Sequence, residues 1–318
     1  MANEPIPVYV FTGFLESGKT KFIQETFEDP NFDSGDKTLL LVCEEGEVEY
    51  DPSKFAFGGV HVAQIEDKSE LTQENLTALE KKSGCGRVII EYNGMWKLDK
   101  IFEIRVPKGW TVVQVISFVN AETYDVYSQN MKATMVEQFN SADMVIFNRC
   151  DENSKIPEWR RSIKAVNRRA QIIFEMKDGS IAPETNEPED LPYDVSADVI
   201  ELPDDDFGIW YVDASDMKER YDGKKIHFKA MVFRPKQYGS NAFVPGRFAM
   251  TCCVEDIQFV GFKCYYQGAK NLVDRQWVDV TAKIGYEYYP DFEGEGPVLT
   301  AEKVTLTSAP DEEVVYFS

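Results

Sequence analysis

Seven short apolar runs, interleaved with stretches of helical spacing, leave the first 182 residues few ways to fold. The runs are "PVYVF", "TLLLVCE", "VHVAQI", "RVIIEY", "TVVQVISFV", "DMVIFN" and "AQIIFE". Several are continuous in Val, Ile and Leu, with no polar alternation, as strands covered on both faces require. Helix-like stretches run from Lys19 to Glu28, Leu71 to Lys82, Thr123 to Asn140 and Pro157 to Asn167. Such alternation, with right-handed crossovers, predicts an α/β class: a doubly wound, mostly parallel sheet. Within the third stretch Val126, Met131, Met135 and Phe139 recur near helical spacing and are expected in the core.

The pattern then changes. Residues 183–200, "PETNEPEDLPYDVSADVI", carry three prolines and many acids and read as a linker. Beyond it, "KIHFKAMVF", "AFVPGRFAMTCC", "QFVGFKCYY", "QWVDVTAKIGYEYY" and "VLTAEKVTLT" read as strands punctuated by turn residues, preceded by one helix in "FGIWYVDASDMKERYDG". Five strands in about 100 residues predict a small all-β, OB-like barrel. The expected organisation is a nucleotide-binding domain over 1–182, a linker over 183–200 and a β domain over 201–318.

Composition narrows the partners. With 55 acidic against 34 basic residues the formal charge is −21, which argues against broad contact with nucleic acid or anionic membrane. No apolar stretch approaches the roughly 20 residues of a membrane-spanning helix. The N-terminus "MANEPIPVYVF" lacks the basic start and long apolar core of a signal peptide. The six cysteines are scattered and show no small-scaffold spacing, so a reducing cytoplasm is expected.

Three elements of the first domain carry chemistry. "GFLESGKT" follows the first apolar run and opens a helix, the context that a phosphate-binding loop needs. Gly13 and Gly18 let the backbone turn its N–H groups toward phosphate oxygens, with Glu16 and Ser17 in the same loop. Lys19 is placed to reach the β- and γ-phosphates and Thr20 to ligate Mg²⁺. Second, "RVIIEYNG" ends a strand with Glu91, a carboxylate able to hold Mg²⁺ through water or to polarise an attacking water. Third, "FNRCD" sets Asn148, Arg149 and Asp151 at a strand end, where an Asn-Lys-x-Asp turn would read guanine, with arginine in place of lysine.

With these residues in place, the first domain resembles the CobW-like GTPases, a group that includes the nickel-insertion GTPases of hydrogenase and urease maturation. "VFTGFLESGKT" is similar to the family's strand and "GFLGSGKT", and "VCEEGEVEYD" to its "VNEFGEVGID". "IIEYNG" matches its Glu-x-x-Gly. "EQFNSADMVIFNRCD" resembles "QIxxADxIxLNKxD", with Gln138, Ala142 and Asp143 in place, and "IKAVNRRAQII" resembles "IRxLNPxAxI". The chain departs from the pattern at four places. "VHVAQIEDKSELTQENL" lacks the Cys-x-Cys-Cys metal motif, Cys43 stands where Asn is usual, Asn120 stands where Asp is usual, and Glu16 replaces a small loop residue.

The resemblance implies a cytoplasmic protein that binds GTP/GDP and slowly hydrolyses GTP with Mg²⁺. Lys19 would stabilise phosphate charge, and Glu44 or Glu91 would orient metal or water. Metal-cofactor insertion or metal homeostasis is the implied role, with a metalloprotein client or a metal transporter as partner. It also implies a nucleotide-dependent, face-to-face homodimer, in which Glu16 could meet a cation; the ordinary expectation for Glu16 is a solvent-facing side chain, and facing the phosphates it would weaken their binding. Two other readings stand beside this one: a non-catalytic nucleotide-binding switch or scaffold, and an ATP-dependent kinase-like protein. The second domain resembles the soluble C-terminal domain of a bacterial permease-subunit family through "YDGKKIHFKAMVFR", "FVPGRFAMTCCVED" and "GAKNLVDRQWVDVTAKIG". Its chemical candidates are Cys252 and Cys253 as Zn²⁺ ligands, with Asp256, Cys264 and His227 nearby in sequence, and the aromatic segments "KCYYQG" and "YEYYPDF".

Overall fold

The computed structural model describes residues 5–44, 46, 49–97, 106–183, 191–251, 257–290 and 294–317, and these form two compact units. The first comprises 1–156 and 169–183, and the second 157–168 and 184–318.

Seven strands build the first unit: β1 (Ile6–Thr12), β2 (Thr38–Val42), β3 (Val60–Gln64), β4 (Arg87–Glu91), β5 (Trp110–Asn120), β6 (Met144–Cys150) and β7 (Gln171–Met176). Every pairing is parallel and the order is β3-β2-β4-β1-β5-β6-β7. This is the doubly wound sheet of a P-loop nucleotide-binding fold, with β1 at its centre. All five residues of β2 and of β4 are buried, Arg87 and Glu91 at the ends of β4 included, which is why the stretches 39–42 and 88–90 read as apolar runs. The two-residue period of the strands sorts them onto two cores. Val8, Val10, Leu39, Leu41, Val88 and Ile90 pack on one face, and Phe11, Leu40, Ile89, Ile116 and Ile146 on the other.

Helix α1 (Lys19–Glu28) leaves the phosphate loop and turns Ile23 and Phe27, one helical turn apart, into the second of these cores. Phe27 is fully buried, with the rings of Phe55, Phe57 and Phe32 at 4.9, 6.0 and 6.2 Å. The stretch expected as one helix from Thr123 to Asn140 is two, Tyr124–Asn130 and Lys132–Asn140, broken at Met131 (φ −129°, ψ 27°). The break resets the phase. Met135 and Phe139 are buried as their spacing requires, whereas Val126 is 62% exposed and is not a core residue.

The second unit holds β8 (Val199–Glu201), β9 (Lys225–Phe233), β10 (Ala242–Ala249), β11 (Gln258–Gly261), β12 (Cys264–Tyr265), β13 (Trp277–Tyr289), β14 (Gly294–Leu306) and β15 (Val314–Val315). Five of them close on themselves in the order β9-β10-β12-β14-β13-β9. Only the β12–β14 contact in this ring is parallel. That closure is the OB-like barrel, and β8, β11 and β15 flank it. The run "QFVGFKCYY" supplies two strands rather than one, because the chain leaves the ladder at Phe262 and Lys263. The helix Phe207–Asp216 buries Phe207 and Trp210 against barrel residues, with the Trp210 and Phe228 rings 5.1 Å apart. Among the described residues no helix is long and apolar enough to cross a membrane.

Because Phe27 anchors α1 through ring contacts on three sides, Phe27→Ala is expected to destabilise the first unit by about 3–5 kcal/mol. Chemical denaturation followed by near-UV circular dichroism measures this.

Candidate functional site

The turn after β1 is built on close backbone approach. Gly13 (φ 134°) and Gly18 (φ 99°) both take positive φ, and so does Glu16 (φ 61°). A Cβ on Gly13 would lie 2.3 Å from the Phe118 carbonyl oxygen, and one on Gly18 would lie 2.5 Å from Asn148 Nδ2. Gly94, the last residue of the Glu-x-x-Gly element, is equally constrained, since its Cβ would sit 2.1 Å from the Gly13 oxygen. These contacts explain why the loop and the Glu-x-x-Gly segment carry glycine where they meet each other and the ends of β5 and β6.

Lys19 is buried and its Nζ donates to the carbonyls of Gly13 (2.6 Å) and Phe14 (2.9 Å) and to Glu44 Oε2 (2.6 Å). All three ammonium hydrogens are thus engaged. Next to it the Thr20 hydroxyl donates to Glu91 Oε1 at 2.6 Å. The other oxygen of Glu91 accepts from the Tyr50 hydroxyl, also at 2.6 Å. Burial, and then the Glu91 charge, push the Tyr50 phenol well above its ordinary range. The Cys43 thiol is pushed up to about 12, chiefly by burial and then by Glu91 and Glu44.

On the β5–β6 side, Asn148 Nδ2 donates to the Ser17 carbonyl at 2.6 Å. Arg149 has φ 58° and lays its guanidinium back on the loop, donating to the Glu16 carbonyl at 3.0 Å. Two residues of the expected base-reading turn therefore brace the phosphate loop. Glu16 itself is exposed. Asp151 accepts from the Asn153 N–H (3.0 Å) through Oδ1 and from Lys177 Nζ (2.9 Å) through Oδ2. Lys177, and then the Asn153 N–H, hold this carboxyl below its usual range. Lys177 also pairs with Glu122 at 3.1 Å.

A cleft of about 420 Å³ opens over the loop. Thr20, Glu44 and Glu91 line it from the β2–β4 side, and Asn120, Glu122 and Arg149 from the β5–β6 side. Its size lies in the range of small-ligand sites. The donor set fits a polyphosphate and a hard divalent cation: glycine-opened backbone, one ammonium, and a hydroxyl beside a carboxylate. Sequence reasoning missed Tyr50 and Lys177. Tyr50 falls in the quoted "VCEEGEVEYD", but its tie to Glu91 spans 41 residues, and Lys177 lies in a turn with no motif of its own.

In the second unit Cys252, Cys253 and Asp256 lie outside the described residues. Cys264 is buried, and burial pushes its thiol up to about 12. His227 and Glu201 sit on adjacent strands with Nδ1 and Oε2 2.7 Å apart. Tyr265 donates to Glu287 at 3.1 Å, and Lys263 lies 4.5 Å from the Tyr265 ring centre. Among the described residues no group of three or more His, Cys, Asp or Glu is arranged to hold a metal ion.

The parallel sheet, the glycine-opened loop and the buried lysine at the start of α1 define a P-loop nucleotide-binding protein. The nucleotide-binding domain of the CobW/HypB/UreG family matches residues 7–174, more than half of the chain, and the chain belongs to that family. The DUF1980 C-terminal domain matches residues 180–317. The hydrogenase maturation factor HypB of Archaeoglobus fulgidus is 20% identical, over 56% of this chain and 84% of its own, with a TM-score of 0.41. The Zn(II)-bound YjiA GTPase of E. coli is 17% identical, over 72% and 74%, with a TM-score of 0.42. Among curated proteins no match was found.

Since the thiolate is the reactive form, Cys43 is expected to resist iodoacetamide at pH 8 in the folded protein and to be alkylated in denaturant. Peptide mass spectrometry of the two samples reads this directly.

Proposed function

We propose that this chain binds GTP and GDP with Mg²⁺, hydrolyses GTP slowly, and serves metal-cofactor insertion or metal homeostasis. The observation that carries the nucleotide chemistry is the placement of Lys19 at the start of the helix that follows a glycine-opened loop, with the Thr20–Glu91 pair beside it. Family membership supports the guanine base and the metal-related role.

Each residue then has a task. The loop N–H groups and Lys19 bind the β- and γ-phosphate oxygens, and charge that develops there in the transition state is held by donors already in place. Phosphate competes with Glu44 for the Lys19 ammonium. A displaced Glu44 becomes a carboxylate at the cleft wall, able to orient water or accept its proton. Thr20 and Glu91 would hold Mg²⁺, which when bound neutralises charge shared between β- and γ-oxygens. Asn148 and Arg149 fix the loop from behind through the Ser17 and Glu16 carbonyls. Asp151 accepts from the N1–H of guanine.

Two variants test this. Lys19→Ala is expected to lower steady phosphate release from GTP by about 10²-fold or more, the scale for removing one transition-state donor. Release that is equal in wild type and Lys19→Ala overturns the hydrolytic reading, and absence of any calorimetric signal with GDP and Mg²⁺ overturns the nucleotide reading. Glu44→Gln removes the charge that competes for Lys19. It is expected to tighten GDP binding roughly several-fold, since a charged hydrogen bond must otherwise be broken, while slowing release of phosphate.

A further inference from the structure

Three adjacent strand ends each place one charged side chain on the β5–β6–β7 flank of the first unit: Glu122 after β5, Asp151 after β6 and Lys177 after β7. The sheet fixes the last two side by side. Cys150 and Met176 are register partners, and the Lys177 N–H donates to the Cys150 carbonyl at 2.9 Å. The residues that follow each partner, Asp151 and Lys177, therefore leave the sheet together, with Nζ 2.9 Å from Oδ2. Glu122, which lines the cleft, holds the same ammonium at 3.1 Å. Lys177 is 49% exposed, so a ligand can reach it.

We infer that Lys177 is a specificity-determining residue that donates to the 6-oxo group of the purine while Asp151 accepts from N1–H. This rests on the guanine-nucleotide reading above and names the group that enforces it. The edge of guanine presents an acceptor at position 6 next to a donor at position 1, and an ammonium beside a carboxylate presents the complementary donor and acceptor. Adenine inverts both, with an amine at position 6 and a bare nitrogen at position 1. It would set donor against donor and acceptor against acceptor, and leave both charged groups unpaired. The carboxylate does not stand alone at this edge: Oδ1 already accepts the Asn153 N–H and Oδ2 is shared with the Lys177 ammonium. Lys177 also offsets the charge of Glu122 and Asp151, which would otherwise face the base as two carboxylates.

The test compares GDP, IDP and ADP binding to the full-length wild type, Lys177→Met and Lys177→Arg by calorimetry with Mg²⁺ present. IDP keeps the 6-oxo group and N1–H, and ADP lacks both. Lys177→Met is expected to weaken GDP and IDP alike by about tenfold, the scale of one charged hydrogen bond, and to leave ADP unchanged. Lys177→Arg, which keeps a cationic donor, is expected to retain part of the preference for GDP and IDP over ADP. A loss shared equally by all three nucleotides would make Lys177 a structural tie and overturn the assignment. So would a GDP affinity that Lys177→Met leaves unchanged. Wild type that binds none of the three, or prefers ADP, overturns the guanine reading itself, and this assignment with it.

Discussion

One buried ammonium group organises the first unit. A charge in the interior must be compensated by partners of good geometry, or its desolvation would unfold the region around it. Lys19 finds two carbonyls at the head of its own loop and one carboxylate from the end of β2. The loop curls around its side chain, and Gly13 and Gly18 let the same backbone pack against Phe118 and Asn148. The same ammonium is the group a phosphate would need. Site and scaffold thus draw on one set of hydrogen bonds, and ligand binding becomes an exchange of partners rather than the filling of a void.

Much of the fold was legible in the sequence because burial on two faces leaves a plain mark. β2 and the middle of β4 are apolar runs, and the helix from Lys19 to Glu28 falls where its spacing put it. Val126 shows where that reasoning stops. Spacing counted across Met131 assumed one continuous helix, and a single non-helical residue reset the phase, so that Tyr124 rather than Val126 is the buried residue before it. The OB-like barrel was legible as a set of strands, but its closure through β9 and β10 depends on register, which a run of apolar residues does not encode.

In the site, motif residues were legible and their neighbours were not. Lys19, Thr20 and Glu91 announce themselves by local pattern. Tyr50 and Lys177 meet the carboxylates they hold only in the folded chain, at 41 and 26 residues' separation. Arg149 was legible as a member of the base-reading turn, yet its contact with the Glu16 carbonyl follows from a left-handed backbone at the end of β6. Side chains that act by bracing leave little trace in sequence, because many residue types can brace once the backbone has brought them close.

Glu91 gives one oxygen to each of two hydroxyls, Thr20 at the start of α1 and Tyr50 in the segment after β2. A second tie joins the same pieces: the Gln24 side chain on α1 accepts from the Asp51 N–H at 3.0 Å. Helix and segment are therefore yoked at two points along one line. The first turns of α1 cannot shift without either breaking these ties or taking the chain around Tyr50 along.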